Sequence, residues 1–282
     1  MLRYTAAPCG IHYVGSQYPS FHQQHKEREV TKAIVVFSGG PDSLAAALWA
    51  KSKKYDPWLL TFQFKQREQG GEMFASMLLA KTLGFPQEII DFKSPMHSFE
   101  PTVHVLMHAG TTTTADRAQH HRMEFGAGMV MATACTFAVY HQIDDVVWGA
   151  TKDDVFGGRF EYSQEFADAF ANLVSCTTGR PFRIHVPFAS KSKHQVLAEF
   201  SGKEDLFAMS WSCKVGSSIQ CGTCTACVAR RVAAQASGVK DATSYHEQNY
   251  KSPLSEAQIA SLDTLSDEDR AHIFQSEKAP VD

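Results

Sequence analysis

The chain has 282 residues, enough for one large α/β domain with an appendage or for two small domains. Hydrophobic residues make up 44%, which excludes wholesale disorder, and a net charge of −3 excludes a generic nucleic-acid coat, which needs a basic surplus. No apolar run approaches the roughly 18–20 residues of a membrane span, and Met1 to Ser20 lack a signal-peptide layout, so a cytoplasmic chain is expected.

Residues 1–31 are polar and rich in His and Gln, with a charged stretch from His25 to Glu29. They read as an arm, either loosely ordered or an accessory strand. At Lys32 the pattern changes. Lys32 to Phe37 is a short apolar run ending in glycines, which predicts a buried parallel strand. Pro41 to Lys53 follows as a helix, with Pro41 near the first position, where a missing N–H costs nothing. Pro57 to Phe64 is a strand, Gln69 to Leu83 an amphipathic helix stopped by Gly84, and Gln87 to Phe92 a strand. Residues 93–121 break the rhythm, include Thr111 to Thr114, and read as a long loop. Arg122 to His141 is a long apolar helix, Asp145 to Gly149 a strand, and Thr151 to Tyr162 an Asp/Gly loop. Ser163 to Val174 is a helix, Phe182 to Pro187 a strand, Lys191 to Phe200 a helix, and Ser255 to Leu262 a last helix. This alternation predicts an α/β fold: a doubly wound parallel sheet with helices on both faces, plus a small C-terminal four-cysteine module. The expected boundaries are an arm at 1–31, the α/β domain at 32–206, the cysteine module at 207–240 and a polar tail at 241–282.

Ser38, Gly39, Gly40, Pro41, Asp42 and Ser43 follow a strand and open a helix. Two glycines let the backbone turn sharply and approach an anion without a Cβ in the way. Successive N–H groups and the helix N-terminus then face that anion, and Ser38 and Ser43 add hydroxyl donors. Asp42 would repel a bare phosphate, so its presence points to Mg²⁺ between them. The plain alternative is a tight turn. No Walker loop and no dinucleotide fingerprint is present.

Seven cysteines occur, and four of them, Cys213, Cys221, Cys224 and Cys227, share the spacing C-x7-C-x2-C-x2-C. Four thiolates suit a closed, tetrahedral, structural Zn²⁺; an Fe–S cluster or four buried thiols are the alternatives. Cys9, Cys135 and Cys176 stand alone in the sequence. His104, His108, His120 and His121 lack a metal-site pattern and read as loop or surface residues.

The loop resembles the PP-loop of ATP pyrophosphatases, which split ATP to AMP and pyrophosphate and share a PP-loop/HUP-like fold. Paired with Ser210 to Arg230, which carries the cysteines, it resembles the QueC family, over about Lys32 to Ala236. That resemblance implies ATP-dependent, AMP-forming ligation of 7-carboxy-7-deazaguanine to nitrogen. Ammonia would give an amide and then the nitrile preQ0 of queuosine biosynthesis. In QueC-like proteins of antiphage (CBASS) operons the acceptor is thought to be a protein amine, so an operon-encoded partner is a second option. Apart from the resemblance, an apolar sheet edge or the 241–282 tail leaves a homodimer open. Phe64, Gln66, Arg67 and Glu72 match the step after the family's second strand. Arg122 matches an arginine before a long helix, Gly149 and Asp154 a glycine and acid after the fourth strand, and Pro187 and Lys193 a proline and lysine before the next helix. The chain departs from the family at Phe64-Lys65, Glu68, Met123 and Glu161 to Ser163, which fall where substrate would be held.

The expected ATP contacts are therefore Ser38, Gly39, Gly40, Asp42, Ser43, Phe64 and Gln66. Asp42, Arg67, Arg122 and Lys193 are the expected catalytic groups, neutralising phosphate or developing charge. Asp154, Glu161, Trp211 and Arg230 are the expected substrate contacts, with Trp211, Phe64 and Phe156 as purine stackers. Plain readings stand beside these: surface ion pairs for the basic residues and core packing for the aromatic ones. Two other functions remain open, a PP-loop tRNA-thiolating enzyme and a non-catalytic zinc- and nucleotide-binding module.

Overall fold

The computed structural model describes residues 31–64, 69–92, 126–156, 160–215, 218–246, 252, 255–262 and 264. The expected N-terminal arm, the 93–121 loop and most of the polar tail lie outside the described residues, as do Gln66, Arg67 and Arg122.

Five strands form one sheet: β1 (Lys32–Val36), β2 (Asp56–Gln63), β3 (Gln87–Asp91), β4 (Asp145–Trp148) and β5 (Arg183–His185). Their order is β3-β2-β1-β4-β5, and every pair is parallel. The chain runs outward from β1 to β3 and then returns to place β4 on the other side of β1. The switch point therefore lies between β1 and β4, and a crevice opens at their carboxyl ends.

The side-chain alternation of β1 divides the interior into two layers. Ala33, Val35 and Phe37 face α1 (Pro41–Ser52) and α2 (Gln69–Leu83), along with Leu59 and Val147. Ala45, Ala46, Ala47 and Ala50 keep α1 thin enough to lie close to the sheet. Ile34, Leu60, Val146 and Trp148 face the other way, against α3 (Gly126–Tyr140) and α5 (Gln164–Thr178). Both faces of the central strands are thus buried, which is why they read as continuous apolar runs rather than alternating ones.

Several expected boundaries shift. A short helix, α4 (Lys152–Phe156), stands in the stretch read as an Asp/Gly loop. Asp153 and Asp154 in its first turn favour a helix N-terminus, but five residues are too few to show a period. Helix α5 runs past Val174 to Thr178 and stops at Gly179, whose φ is 67°. In this extra turn the Ser175 and Thr178 hydroxyls donate to the carbonyls of Ala171 and Val174, four residues back. The expected helix Lys191 to Phe200 is α6 (Lys193–Leu197), opened by a capping box of Ser192 and Gln195, followed by a 3₁₀ turn at Ala198–Phe200.

The C-terminal part adds α7 (Glu204–Met209), α8 (Thr225–Ser237) and α9 (Glu256–Ala260). Helix α8 has Cys224 as its N-cap and lays Ala233 and Ala234 into the same core as β1 and α1. The cysteine module is thereby seated on the sheet domain.

Candidate functional site

The loop Ser38 to Ser43 leaves β1 at the switch point. Gly39 has φ 83°, and a Cβ there would stand 2.6 Å from the Ser76 nitrogen and 2.8 Å from the Glu72 carbonyl oxygen. Only glycine fits this position, for both reasons. Gly40 is the N-cap of α1 and supplies no side-chain cap, and Pro41 has no N–H to satisfy. The N–H groups of Asp42 and Ser43 are therefore open to an anion at the positive end of the helix. Within the loop, Ser43 Oγ donates to the Gly40 carbonyl at 2.9 Å and accepts from Ser38 N–H at 3.3 Å. Gly149, directly after β4, lets that strand abut α1: a Cβ there would lie 2.7 Å from the Asp42 carbonyl oxygen. These features fit a phosphate-bearing ligand.

Lys193 crosses to this loop from the start of α6. Its Nζ donates to Asp42 Oδ2 at 2.8 Å and to Asp154 Oδ1 at 3.0 Å. Asp153 Oδ2 accepts from the Lys193 backbone N–H at 2.6 Å. Asp154 is further held by the N–H and hydroxyl of Thr151, at 3.0 and 2.8 Å. Asp42 has no such second donor, and its buried Oδ1 has no hydrogen-bond partner among the described residues. The consequences follow from this asymmetry. Burial pushes the Asp42 carboxyl above its ordinary range, and Lys193 offsets that only partly against Asp154 and Asp153. For Asp154, burial is outweighed by Lys193 and the Thr151 donors, so its carboxyl is held low. Burial works against the Lys193 ammonium, but Asp154 and Asp42 outweigh it and keep the group charged. Two carboxylates thus bond one ammonium, a third lies beside them on the Lys193 backbone N–H, and Asp42 keeps a buried oxygen with no hydrogen-bond partner among the described residues. That donor set fits a hard divalent cation such as Mg²⁺.

The other expected contacts divide. Phe64 lies beyond the carboxyl end of β2, stacked on Phe92 with centroids 5.4 Å apart and 21° between planes. Glu161 sits half-buried on a 3₁₀ turn, Phe160–Tyr162, whose Tyr162 ring meets Trp148 at 5.7 Å. Asp154, expected at the substrate, binds Lys193 and Thr151 instead. Arg230 requires a correction. Its guanidinium is buried and donates to Phe207 O at 2.6 Å, Ser210 Oγ at 2.8 Å and Thr243 Oγ1 at 2.8 Å, and it stacks on the Phe207 ring at 3.9 Å. From this buried position it clamps α8 to α7. Trp211 is likewise occupied: its indole covers Gly71 and its Nε1 donates to Cys213 O at 2.8 Å. The side chain of Phe156 lies outside the described residues.

The four cysteines converge. The Sγ atoms of Cys213, Cys221, Cys224 and Cys227 lie within 4.8 Å of one another. Backbone N–H groups of Val215 and Cys221 donate to Cys213 Sγ, at 3.4 and 3.3 Å, and those of Thr223 and Cys224 to Cys221 Sγ, at 3.4 and 3.2 Å. Such donors stabilise thiolates. A hydrogen bond with Cys227 holds Cys224 down, to about 4, and the same bond pushes Cys227 up. Four sulfur donors at this spacing fit a tetrahedral metal ion. Cys135 is a buried residue of α3, its thiol pushed up to about 12 by burial. Cys176, read as an isolated thiol, is disulfide-bonded.

A family model described as QueC, Queuosine biosynthesis protein QueC, matches residues 32–238. The 7-cyano-7-deazaguanine synthase of Paracoccus denitrificans (strain Pd 1222) is 26% identical over 237 residues, spanning 78% of this chain and 95% of that protein. The 7-cyano-7-deazaguanine synthase of Rhizobium meliloti (strain 1021) is 27% identical over 237 residues, spanning 78% and 94%. Among solved structures, NMN synthetase from Francisella tularensis is similar at a TM-score of 0.45 and 14% identity, spanning 90% of each chain.

Proposed function

The chain belongs to the QueC family, and we propose that it is an ATP-dependent carbon–nitrogen ligase acting on 7-carboxy-7-deazaguanine with ammonia. The observation that carries this reading is the Ser38 to Ser43 loop at the sheet's switch point, with Lys193 and Asp42 paired at its edge.

A carboxylate is a poor electrophile, so it must be activated. On this reading a carboxylate oxygen of the substrate attacks the α-phosphorus of ATP. The α–β bridging P–O bond breaks, pyrophosphate leaves, and a mixed acyl–AMP anhydride forms. Ammonia attacks the acyl carbon, the C–O bond to AMP breaks, and the nitrogen gives up a proton to solvent, leaving the amide. In a second round the amide oxygen takes AMP from another ATP. Loss of that AMP and of the two nitrogen protons gives the nitrile.

The chain's own groups position and neutralise. In the Gly39 to Ser43 loop the N–H groups of Asp42 and Ser43, with the Ser38 and Ser43 hydroxyls, hold the β- and γ-phosphates. Lys193 releases Asp42 as phosphate arrives and offsets charge on the departing pyrophosphate. Asp154, with Thr151, keeps the Lys193 ammonium aimed at the loop. A Mg²⁺ ion at Asp42 would supply further charge neutralisation on the phosphates. Phe64 and Glu161 are the described groups suited to the deazapurine, one as a ring face and one as an acceptor for a guanine edge. Arg67 and Arg122 complete the proposed set. Cys213, Cys221, Cys224 and Cys227 hold a structural Zn²⁺, residues 32–206 form the ATP-binding unit and 207–240 the metal module. A thiolating chemistry needs a poised thiolate. Cys135, buried with its thiol pushed up, and Cys176, in a disulfide, do not suit that role.

The test is incubation of the full chain with ATP, Mg²⁺, 7-carboxy-7-deazaguanine and ammonium. AMP, pyrophosphate and the nitrile are expected; ADP, or no cleavage, rejects the reading. Turnover that requires a protein in place of ammonium, with a matching mass increment on that protein, would select a protein amine as acceptor.

A further inference from the structure

Between the cysteine cluster and the phosphate loop lies one residue that touches both. The segment Ser210 to Cys213 is clamped from the module side. Gln220 Oε1 accepts from Ser212 N–H at 2.9 Å and Cys213 N–H at 3.2 Å, and Gln220 Nε2 donates to Ser210 O at 3.0 Å. Arg230 adds a bond to Ser210 Oγ at 2.8 Å. The Trp211 Nε1–H donates to the carbonyl of Cys213, a member of the cluster. From this fixed segment, Trp211 reaches the loop in two ways.

First, the Trp211 backbone N–H donates to the Gly39 carbonyl at 2.9 Å. In a trans peptide the carbonyl and the following N–H point in opposite directions. Holding the Gly39 oxygen therefore fixes where the Gly40 N–H points, and that group donates to Ser38 Oγ at 3.3 Å, so the same peptide sets the Ser38 hydroxyl within the loop. Second, the indole lies where a Cβ of Gly71 would be, in the first turn of α2. Helix α2 in turn abuts Gly39 through the Ser76 nitrogen and the Glu72 carbonyl. The loop is thus gripped between α2 and the segment that carries Trp211, and the indole sets the spacing of the grip.

We infer that Trp211 is a positioning residue for the phosphate loop: it transmits the fold of the four-cysteine module to Gly39, so that ATP affinity depends on the indole being seated on Gly71. The inference rests on the reading that Ser38 to Ser43 binds ATP. It also explains why Gly71, a poor residue inside a helix, stands in α2.

The experiment compares the full-length wild type with Trp211→Ala, Trp211→Phe, Gly71→Ala and the double variant Gly71→Ala/Trp211→Ala. Metal content per chain, ATP dissociation constant by calorimetry, and amide exchange of residues 38–44 are measured on each. Trp211→Ala and Gly71→Ala are expected to keep the metal, to weaken ATP about tenfold, and to exchange faster at 38–44. Trp211→Phe falls between them and the wild type, since it keeps a ring but loses the bond to Cys213. The double variant is expected to lose no more than Trp211→Ala alone, because the methyl at residue 71 then meets no indole. ATP affinity within about twofold of wild type in metal-loaded Trp211→Ala, or losses that multiply in the double variant, overturns the inference. Should Trp211→Ala not fold, unchanged ATP binding in Gly71→Ala overturns it equally. A wild type that does not bind ATP refutes the ATP reading, while amide exchange still decides whether Trp211 restrains the loop.

Discussion

Replacing Lys193 with methionine keeps most of the side chain's bulk and removes its charge. The ammonium sits 2.8 Å from Asp42 Oδ2 and 3.0 Å from Asp154 Oδ1, and the three side chains retain only 20–25% of their exposure. Two carboxylates then share a partly buried site without a countercharge. Breaking a buried pair in this way costs about 3–5 kcal/mol, and residual solvent contact argues for the lower end, about 3 kcal/mol at neutral pH. The sign with pH is fixed by Asp42. Its carboxyl already lies above the ordinary range through burial, and losing Lys193 raises it further. Protonating Asp42 relieves the repulsion, so the stability gap to wild type narrows as pH falls. On turnover the same charge is missing where pyrophosphate departs, a loss of about 10²–10³-fold in kcat/KM, as for one preorganised electrostatic contact. Urea unfolding at several pH values and pyrophosphate release read the two effects. A cycle with Asp42→Asn isolates the pair and is expected to show coupling of about 2–3 kcal/mol. Additivity within about 0.5 kcal/mol, together with turnover within about threefold of wild type, would show that Lys193 and Asp42 are not a coupled pair at the phosphate loop.

Gly39→Ala forces a Cβ to 2.6 Å from the Ser76 backbone nitrogen and strains a φ of 83°, so ATP binding should be abolished and the melting temperature lowered. Cys227→Ser removes a buried ligand, so metal content should fall well below one ion per chain, with earlier thermal unfolding in the same sample. At the opposite end of the sheet, Asp145 accepts from Arg183 at 2.6 and 2.7 Å and lies 2.7 Å from His185 Nε2. Burial works to raise its carboxyl, but the bonds to His185 and Arg183 win and hold it at about 2. A folded-state value below the unfolded one contributes stability that is complete above about pH 4 and is lost as pH falls toward 2, about 2–3 kcal/mol in all. Asp145→Asn should therefore be less stable than wild type by that amount at pH 7, with the gap closing between pH 4 and 2 in urea titrations. An equal gap at pH 7 and pH 2 would contradict it.

What the sequence revealed is what local chemistry writes. Ser38 to Ser43 combine a strand end, two glycines and a helix start within six positions, and the cysteines converge from a span of 15 residues. The sheet is legible for a similar reason, because burial on both faces leaves uninterrupted apolar runs such as Lys32 to Phe37. Long-range pairings are different. Lys193 meets Asp42 across 151 residues, and no spacing rule joins them; a family likeness at Lys193 was the only hint. Arg230 was misread because an arginine after a metal ligand looks exposed, whereas its guanidinium fills a buried bay beneath Phe207 and Ser210. A signal existed in Asp241 and Thr243, polar residues just past α8, but it becomes visible only once the helix folds back on α7. The seat of Trp211 on Gly71 is likewise a tertiary fact, since an indole beside a cysteine cluster suggests a purine stacker as readily as a wedge. Helix α4 was missed because its one turn is stabilised by Asp153 and Asp154 rather than by an apolar stripe.

On the proposed function, a substrate carboxylate oxygen takes AMP from ATP. The most direct measurement uses 7-carboxy-7-deazaguanine labelled with ¹⁸O in its carboxylate, with ATP and ammonium, and mass spectrometry of the products. Adenylation predicts ¹⁸O in the AMP phosphate and none in pyrophosphate. Label in pyrophosphate or inorganic phosphate, or unlabelled AMP formed at the rate of turnover, would contradict it.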